Sequence, residues 1–441
     1  MELFADEDKR YYRDLLAKLV AAPSVAAQHR GGEQALAILE AALSDIGFTQ
    51  RRLPAAVNPV LWAERQGASP RRLLVYDHYD VQPEDPIAEW TSPPFELTER
   101  DGLLIGRGVS DNKGELALRI TVLRAILRER GELPLTVRFL VEGEEEIGSV
   151  SLAGVVAEHP DLFAADACVW EFGGRNPDGR PDLILGLKGM CYLELRLVTA
   201  DVDLHSSLAP IVPNPAWRLV HALATMRDLE GRILIPDVVA GIEAPSARDR
   251  ELGALLPDPR PELREVAGVR TFRDAQDLND VLLFEPTCTI CGLESGYLGE
   301  GSKTVLPKSA RAKLDFRLVP GQDPTRVRDA VRRHLDEHGF SDIEVRQLSG
   351  EFAFRSDVAH PAVETIVTVM REVYGAEPVV RPTSPGSGPM HPIGRLGMPI
   401  LAFGSGYYGS RAHAPDENIR LEDVDLAAET FGRLVLKLAS T

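Results

Sequence analysis

Apolar residues cluster in two distinct ways along the chain. Residues 72–76 (RLLVY) and 135–141 (LTVRFLV) are near-continuous apolar runs that read as buried strands, and residues 114–130 (GELALRITVLRAILRER) between them have helical spacing closed by Gly131. Strand alternating with helix predicts parallel pairing with helices on both faces, and ligands in such sheets bind beyond the carboxyl ends of the strands. From residue 190 the pattern changes. Residues 190–198 (MCYLELRLV) and 311–319 (RAKLDFRLV) alternate apolar and polar positions as half-exposed antiparallel strands do. Two helical stretches near 214–228 and 324–338 and a strand at 343–347 complete a small α+β sandwich. After about residue 351 the α/β pattern returns, with a helix at 362–374, a buried strand at 400–403 and a last helix at 421–438. The predicted fold class is α/β: a mixed, largely parallel sheet flanked by helices, interrupted by an inserted α+β domain. The expected division is 1–188, 189–351 and 352–441.

Length agrees with this division, because 441 residues exceed the size at which one hydrophobic core stops growing. With 44% apolar and 26% charged residues the composition is that of a folded globular protein. A net charge of -18 without basic runs argues against nucleic acid or an anionic membrane as partner and leaves small molecules. The start, MELFADEDKRYYRDLL, shows no charged-then-apolar leader, and no apolar run approaches membrane-spanning length, so a cytoplasmic location is expected. Cys168, Cys191, Cys288 and Cys291 are too few and too scattered for a disulfide framework. The single C-x-x-C at 288–291 lacks a second pair and reads as ordinary extended chain.

Five segments carry candidate chemistry. Directly after the first strand, DHYDVQP places His78 at a strand end with Asp80 two residues on, where a carboxylate can fix the tautomer of a metal-binding imidazole. The glycine-punctuated GRGVSDNKG delivers Asp111 just ahead of a helix, a position that suits either an N-cap or a carboxylate bridging two cations. EGEEEIGS follows the strand 135–141 with four acids, a crowding that is costly unless cations lie nearby. Residues 166–172 (DACVWEF) expose Glu171 at a strand end, and GSGYYGSRAHAPDENI sets His413 in a Gly- and Pro-rich loop. Two His, one Asp and two Glu at strand ends of one domain are the donor set two zinc ions require.

In this order, YDHYDVQP, GRGVSDNKG, EGEEEIGS and AHAPDENI closely resemble the dinuclear zinc peptidases that include carnosinase, bacterial dipeptidases, carboxypeptidase G, succinyl-diaminopimelate desuccinylase and aminoacylase. The resemblance spans nearly the whole chain and is nearest to the carnosinase-like dipeptidase branch. It implies that His78, Asp111 and Glu171 hold one Zn2+ and that Asp111, Glu146 and His413 hold another, with Mn2+ or Co2+ as substitutes. It implies Glu145 as general base and Asp80 as the group orienting His78. The inserted, ferredoxin-like domain becomes a lid and dimerisation domain, whose His205 in DLHS reaches the partner subunit's site in a homodimer. Thr304 in KTVLP, Arg317 in DFRLVPGQDP and Ser387 in SPGSGPM fall where substrate is contacted. The implied reaction is cleavage of a dipeptide or short peptide with a free C-terminal carboxylate. The rival readings are an N-acyl-amino-acid amidohydrolase with the same metals and base, and a metal-binding scaffold without catalysis. Three features depart from the family: Asp77 replaces a usual glycine, Glu171 stands where carnosinase-like members have Asp, and SSLAPIVPN follows His205 without the common glycine.

Overall fold

The computed structural model describes residues 3–440 and forms two compact units. The first holds the chain up to Leu185, Ser356–Pro382 and everything from Pro392 on; the second holds Gly186–Arg355 and Thr383–His391. The short stretch Thr383–His391, which the sequence pattern groups with the returning α/β part, thus packs with the second unit.

The first unit is built on an eight-stranded mixed sheet. Its centre is four neighbouring parallel strands, in the order Leu135–Glu142, Ser69–His78, Ala167–Trp170 and Ile400–Ala402. Such strands are covered on both faces, which explains their unbroken apolar runs: Leu73, Leu74, Val75, Tyr76 and Val137, Phe139, Leu140, Val141 are all buried. Antiparallel strands Val60–Arg65 and Thr49–Leu53 extend one edge, and Asp182–Ile184 with Val379–Arg381 extend the other. Helices Asp6–Ala21, Lys113–Arg130 and Leu421–Leu438 pack together, and Pro361–Tyr374 packs on the last of these. Lys113–Arg130 is buried on nearly every face until its last turn and ends at Gly131, whose φ of 79° favours glycine. A small antiparallel sheet pairs Asn418–Arg420 with Leu103–Ile105 and brings two distant loops together.

The second unit is a four-stranded antiparallel sheet, ordered Thr289–Ser295, Ser309–Leu318, Gly189–Val198 and Glu344–Glu351. With helices Pro215–Ala224 and Pro324–Glu337 this gives a β-α-β-β-α-β chain of ferredoxin-like order. Alternation does what the sequence predicts: Cys191, Leu193, Leu195 and Leu197 face a core shared with Leu219, Val327 and Val331, while the residues between them face out. Beyond the two foreseen helices, residues 236–284 hold four short ones, Pro236–Val239, Ala247–Ala254, Arg260–Ala267 and Leu278–Phe284. Elements of four to eight residues are too brief to establish a 3.6-residue period, which is why the pattern does not disclose them. Cys288 is buried at the start of the extended Thr289–Ser295, Cys291 is exposed on it, and all four cysteines are free thiols.

Candidate metal centre

The four central parallel strands end at one edge, and each hands over a residue there. His78 is the last residue of its strand, Glu171 directly follows Trp170, Leu135–Glu142 leads into the turn carrying Glu145 and Glu146, and Ile400–Ala402 leads into the loop carrying His413. Asp111 arrives from the loop that precedes helix Lys113–Arg130.

These side chains converge in two trios that share Asp111. His78 Nε2 lies 3.0 Å from Asp111 Oδ1 and 3.2 Å from Glu171 Oε2. His413 Nε2 lies 2.9 Å from Asp111 Oδ2 and 3.2 Å from Glu146 Oε2. Each carboxylate oxygen of Asp111 therefore faces a different imidazole. An imidazole nitrogen carries at most one proton, so it cannot fully satisfy two carboxylates at once. Glu171 Oε2 is buried and makes no hydrogen bond, although His78 Nε2 is 3.2 Å away.

A cation between Asp111, Glu146 and His413 would engage all three donors, whose ligand atoms lie within 4.8 Å of one another. Tetrahedral coordination with bonds of about 2.0 Å separates neighbouring ligand atoms by roughly 3.3 Å, close to the imidazole-to-carboxylate spacings of both trios. Protonation tells the same story. Burial opposes a charged His78, yet Glu171, Asp111 and Asp80 drive its pKa well above the usual value. Asp111 and Glu146 lift His413 to about 10. Burial pushes the Glu171 carboxyl well up, and Glu145 up to about 7. The site gathers protons where positive charge is wanted, and its hard and borderline N and O donors suit zinc-like divalent ions.

The surrounding residues fix this geometry. His78 Nδ1 faces the Asp80 carbonyl at 3.0 Å and its carboxylate at 3.4 Å, while that carboxylate accepts the Glu145 and Glu146 backbone N–H groups. Asp80 thus holds both the imidazole and the turn bearing the two glutamates. Gln82, not singled out by the sequence reading, donates from its backbone to Glu146 Oε1 and from its side chain to Oε2. Asn112 stands at the N-cap position but does not cap; its side chain accepts the His78 N–H and donates to the Glu171 carbonyl. Glu417 is also newly apparent. It is fully buried and accepts from Arg107, Gly108, Ser110 and Asp111. The pairing of Asn418–Arg420 with Leu103–Ile105 puts it beside that loop. His413 itself has φ 63°, with Arg411 and Asp416 also in the left-handed region, a strained backbone that Glu417 helps anchor.

Of the four acids in EGEEEIGS, only two face the trios. Glu142 is buried beneath them and accepts from Tyr76 and Ser149. Glu144 accepts the backbone N–H groups of Val57, Asn58 and Ser151 and shapes the turn. Asp77 is turned away from His78, as successive strand residues are, and pairs with Arg119 at 2.7 Å.

The remaining predicted residues lie in the second unit as two neighbouring pairs. His205 is exposed, with Nδ1 2.9 Å from Ser207 Oγ, and the carbonyl of exposed Thr304 accepts the N–H of Ser206, the residue directly after His205. Arg317 donates to Asp315 and, at 2.8 Å, to Ser387 Oγ, which donates to the Gly189 carbonyl.

A shared carboxylate between two histidine-and-glutamate trios, at the carboxyl edge of an α/β sheet, defines the class of metal-dependent hydrolases. Residues 74–437 match Peptidase family M20/M25/M40, and the chain belongs to that family. It is a metallopeptidase. The M20 family metallo-carboxypeptidase Sso-CP2 from Sulfolobus solfataricus is 35% identical, with a TM-score of 0.91 over 99% of this chain and 100% of its own. A Beta-Ala-His dipeptidase from Mus musculus is 29% identical over 336 residues, 73% of this chain and 68% of that protein. A Cysteinylglycine-S-conjugate dipeptidase from Corynebacterium striatum is 27% identical over 416 residues, 90% of this chain and 89% of that protein. Among the described residues no helix is long and apolar enough to cross a membrane.

Proposed function

We propose that the protein hydrolyses the amide bond of dipeptides or short peptides with a free C-terminal carboxylate, using two divalent ions per chain. Zinc is the proposed metal, with manganese or cobalt as substitutes. The observation that carries this reading is the pair of trios sharing Asp111, in which His78, also beside Glu171, faces one Asp111 oxygen and His413, also beside Glu146, faces the other. Ions bound there would supply Lewis acidity, polarising the scissile carbonyl and lowering the pKa of water from about 15.7 toward about 7.

In this proposal Glu145 accepts the proton of the attacking water and passes it to the departing amine. Burial pushes its carboxyl up to about 7, which suits a group that must both take and give a proton near neutrality. Its backbone N–H is fixed 3.2 Å from Asp80 Oδ1, and Asp80 in turn orients His78. Arg317 is the proposed grip on the substrate carboxylate, because a planar guanidinium matches that group with two parallel hydrogen bonds. Thr304 and Ser387 complete the proposed substrate contacts. His205 would stabilise the developing oxyanion in the partner subunit of a homodimer formed through the inserted unit, which would also act as a lid. A cytoplasmic setting accords with four free thiols.

The deciding experiment compares kcat/KM, for one C-terminal residue, among a dipeptide, its C-terminal amide and the N-acetyl or N-succinyl amino acid. The dipeptide is expected to be the best substrate and the amide far poorer. Preference for the acylated amino acid, or indifference to amidation, would overturn the substrate assignment.

A further inference from the structure

Asp77 replaces a glycine usual in the resembling family, and its partner shows what that replacement accompanies. Arg119 lies on the second turn of helix Lys113–Arg130 and is buried, with 1% of its surface exposed. One guanidinium nitrogen donates to the Tyr76 carbonyl at 3.0 Å and to Asp77 Oδ1 at 2.7 Å. The other donates to the Trp170 carbonyl at 2.6 Å and the Phe403 carbonyl at 3.4 Å. Those carbonyls belong to the carboxyl ends of three neighbouring strands. Tyr76 stands two residues before His78, Trp170 directly before Glu171, and Phe403 at the start of the segment leading to His413. One helix turn earlier, Glu115 lies 3.9 Å from Arg119 and accepts from the backbone and hydroxyl of Ser405, the residue two beyond Phe403.

We infer that Arg119, neutralised by Asp77, is a positioning residue that sets the spacing of the strand ends bearing the metal ligands. The inference rests on the metal-centre reading and adds to it a role for residues that do not themselves face the trios. A planar fork can bind three carbonyls and a carboxylate at fixed angles, whereas an ammonium on a longer, looser stem cannot reach them all. A buried guanidinium also needs a counter-charge, and Asp77 supplies it on the face of the strand opposite His78. Glycine at 77 would leave Arg119 facing carbonyls and the more distant Glu115 alone.

The test uses the full-length protein as Arg119→Lys and, because that variant can fail to fold, also Asp77→Asn, which keeps side-chain shape and removes the charge. The readouts are zinc affinity by competition with a chromophoric chelator and the visible absorption spectrum of the Co2+-substituted protein, with far-ultraviolet circular dichroism to verify folding. Folded variants are expected to bind zinc about 10–100-fold more weakly and to show an altered Co2+ spectrum, the range typical when groups behind metal ligands are removed. A variant that melts earlier yet keeps wild-type affinity and spectrum would reduce Arg119 and Asp77 to general stability and overturn the inference. A wild-type protein that binds neither zinc nor Co2+ would instead overturn the metal-centre reading itself.

Discussion

Replacing Glu417 by Gln changes one oxygen into an NH2 group and should uncouple the loops that carry Asp111 and His413. Oε2 of Glu417 accepts from Arg107 at 2.7 Å and the Gly108 N–H at 3.0 Å, and Oε1 accepts the Ser110 and Asp111 N–H groups at 2.9 Å each. All four partners are donors, so either orientation of the amide sets its NH2 against two of them. The Arg107 guanidinium, 1% exposed, also loses its paired carboxylate. A buried donor left unsatisfied costs about 1–3 kcal/mol, and breaking a buried ion pair from one side costs about 3–5 kcal/mol. The overlap of these two effects sets the expectation at about 4 kcal/mol. For a unit of this size about 2 °C accompanies each kcal/mol, so the first transition should fall by roughly 8 °C. The Asp111 N–H bonded to Glu417 sits on the residue common to both trios, so metal affinity should fall along with the melting temperature. Calorimetry and elemental analysis of Glu417→Gln read both quantities. A variant that melts within a degree of wild type and retains its metal would refute the idea that Glu417 anchors the Asp111 loop.

Four further outcomes are expected. Elemental analysis of freshly purified protein should give about two divalent ions per chain, and chelation should abolish hydrolysis until zinc, manganese or cobalt is restored; full activity without metal would contradict the site. Glu145→Gln should lower kcat about 10²–10⁴-fold with metal content intact, whereas Glu146→Gln should weaken metal binding; the reverse pattern would exchange their roles. Burial holds Glu142 up to about 8 against an ordinary 4.5, so between those values the folded state keeps a proton that the unfolded state releases. Stability from this group is therefore full below about pH 4.5 and lost as pH rises toward 8, at about 1.4 kcal/mol per unit. Glu142→Gln should flatten that slope in a melting series from pH 5 to 8, because both the Tyr76 and Ser149 hydroxyls donate to the one oxygen that Gln retains. Mixing inactive His205→Ala with inactive Glu145→Gln chains should restore part of the activity in heterodimers; no recovery in demonstrated heterodimers would exclude action across subunits.

What the chain discloses in advance depends on how far a residue's meaning travels along the sequence. His78 and the acids after residue 141 follow long apolar runs and Glu171 a short one, and such runs read as central strands whose carboxyl ends share an edge. Local pattern therefore places them without knowledge of their partners. Asp111 is harder, since a polar residue before a helix reads equally well as a cap, and only the approach of His78 and His413 separates the readings. Glu417 and Arg119 lie beyond local pattern altogether. Glu417 is one acid among polar loop residues until a three-residue pairing sets it beside Gly108, 309 positions away. Arg119 sits in a helix where an arginine normally reaches for water, and only the burial of that helix on nearly every face turns its guanidinium toward three strand ends. The same reasoning accounts for EGEEEIGS. Composition marks all four acids as one electrostatic cluster, but the strand ends at Glu142, which is buried against Tyr76, and the turn that follows directs Glu144 to backbone N–H groups. Cations are needed to offset Glu146 and its neighbours across the loops, not the whole run. Side-chain type and strand-end position are written locally, whereas the groups that hold those side chains at 3 Å spacing are defined by pairings between distant segments.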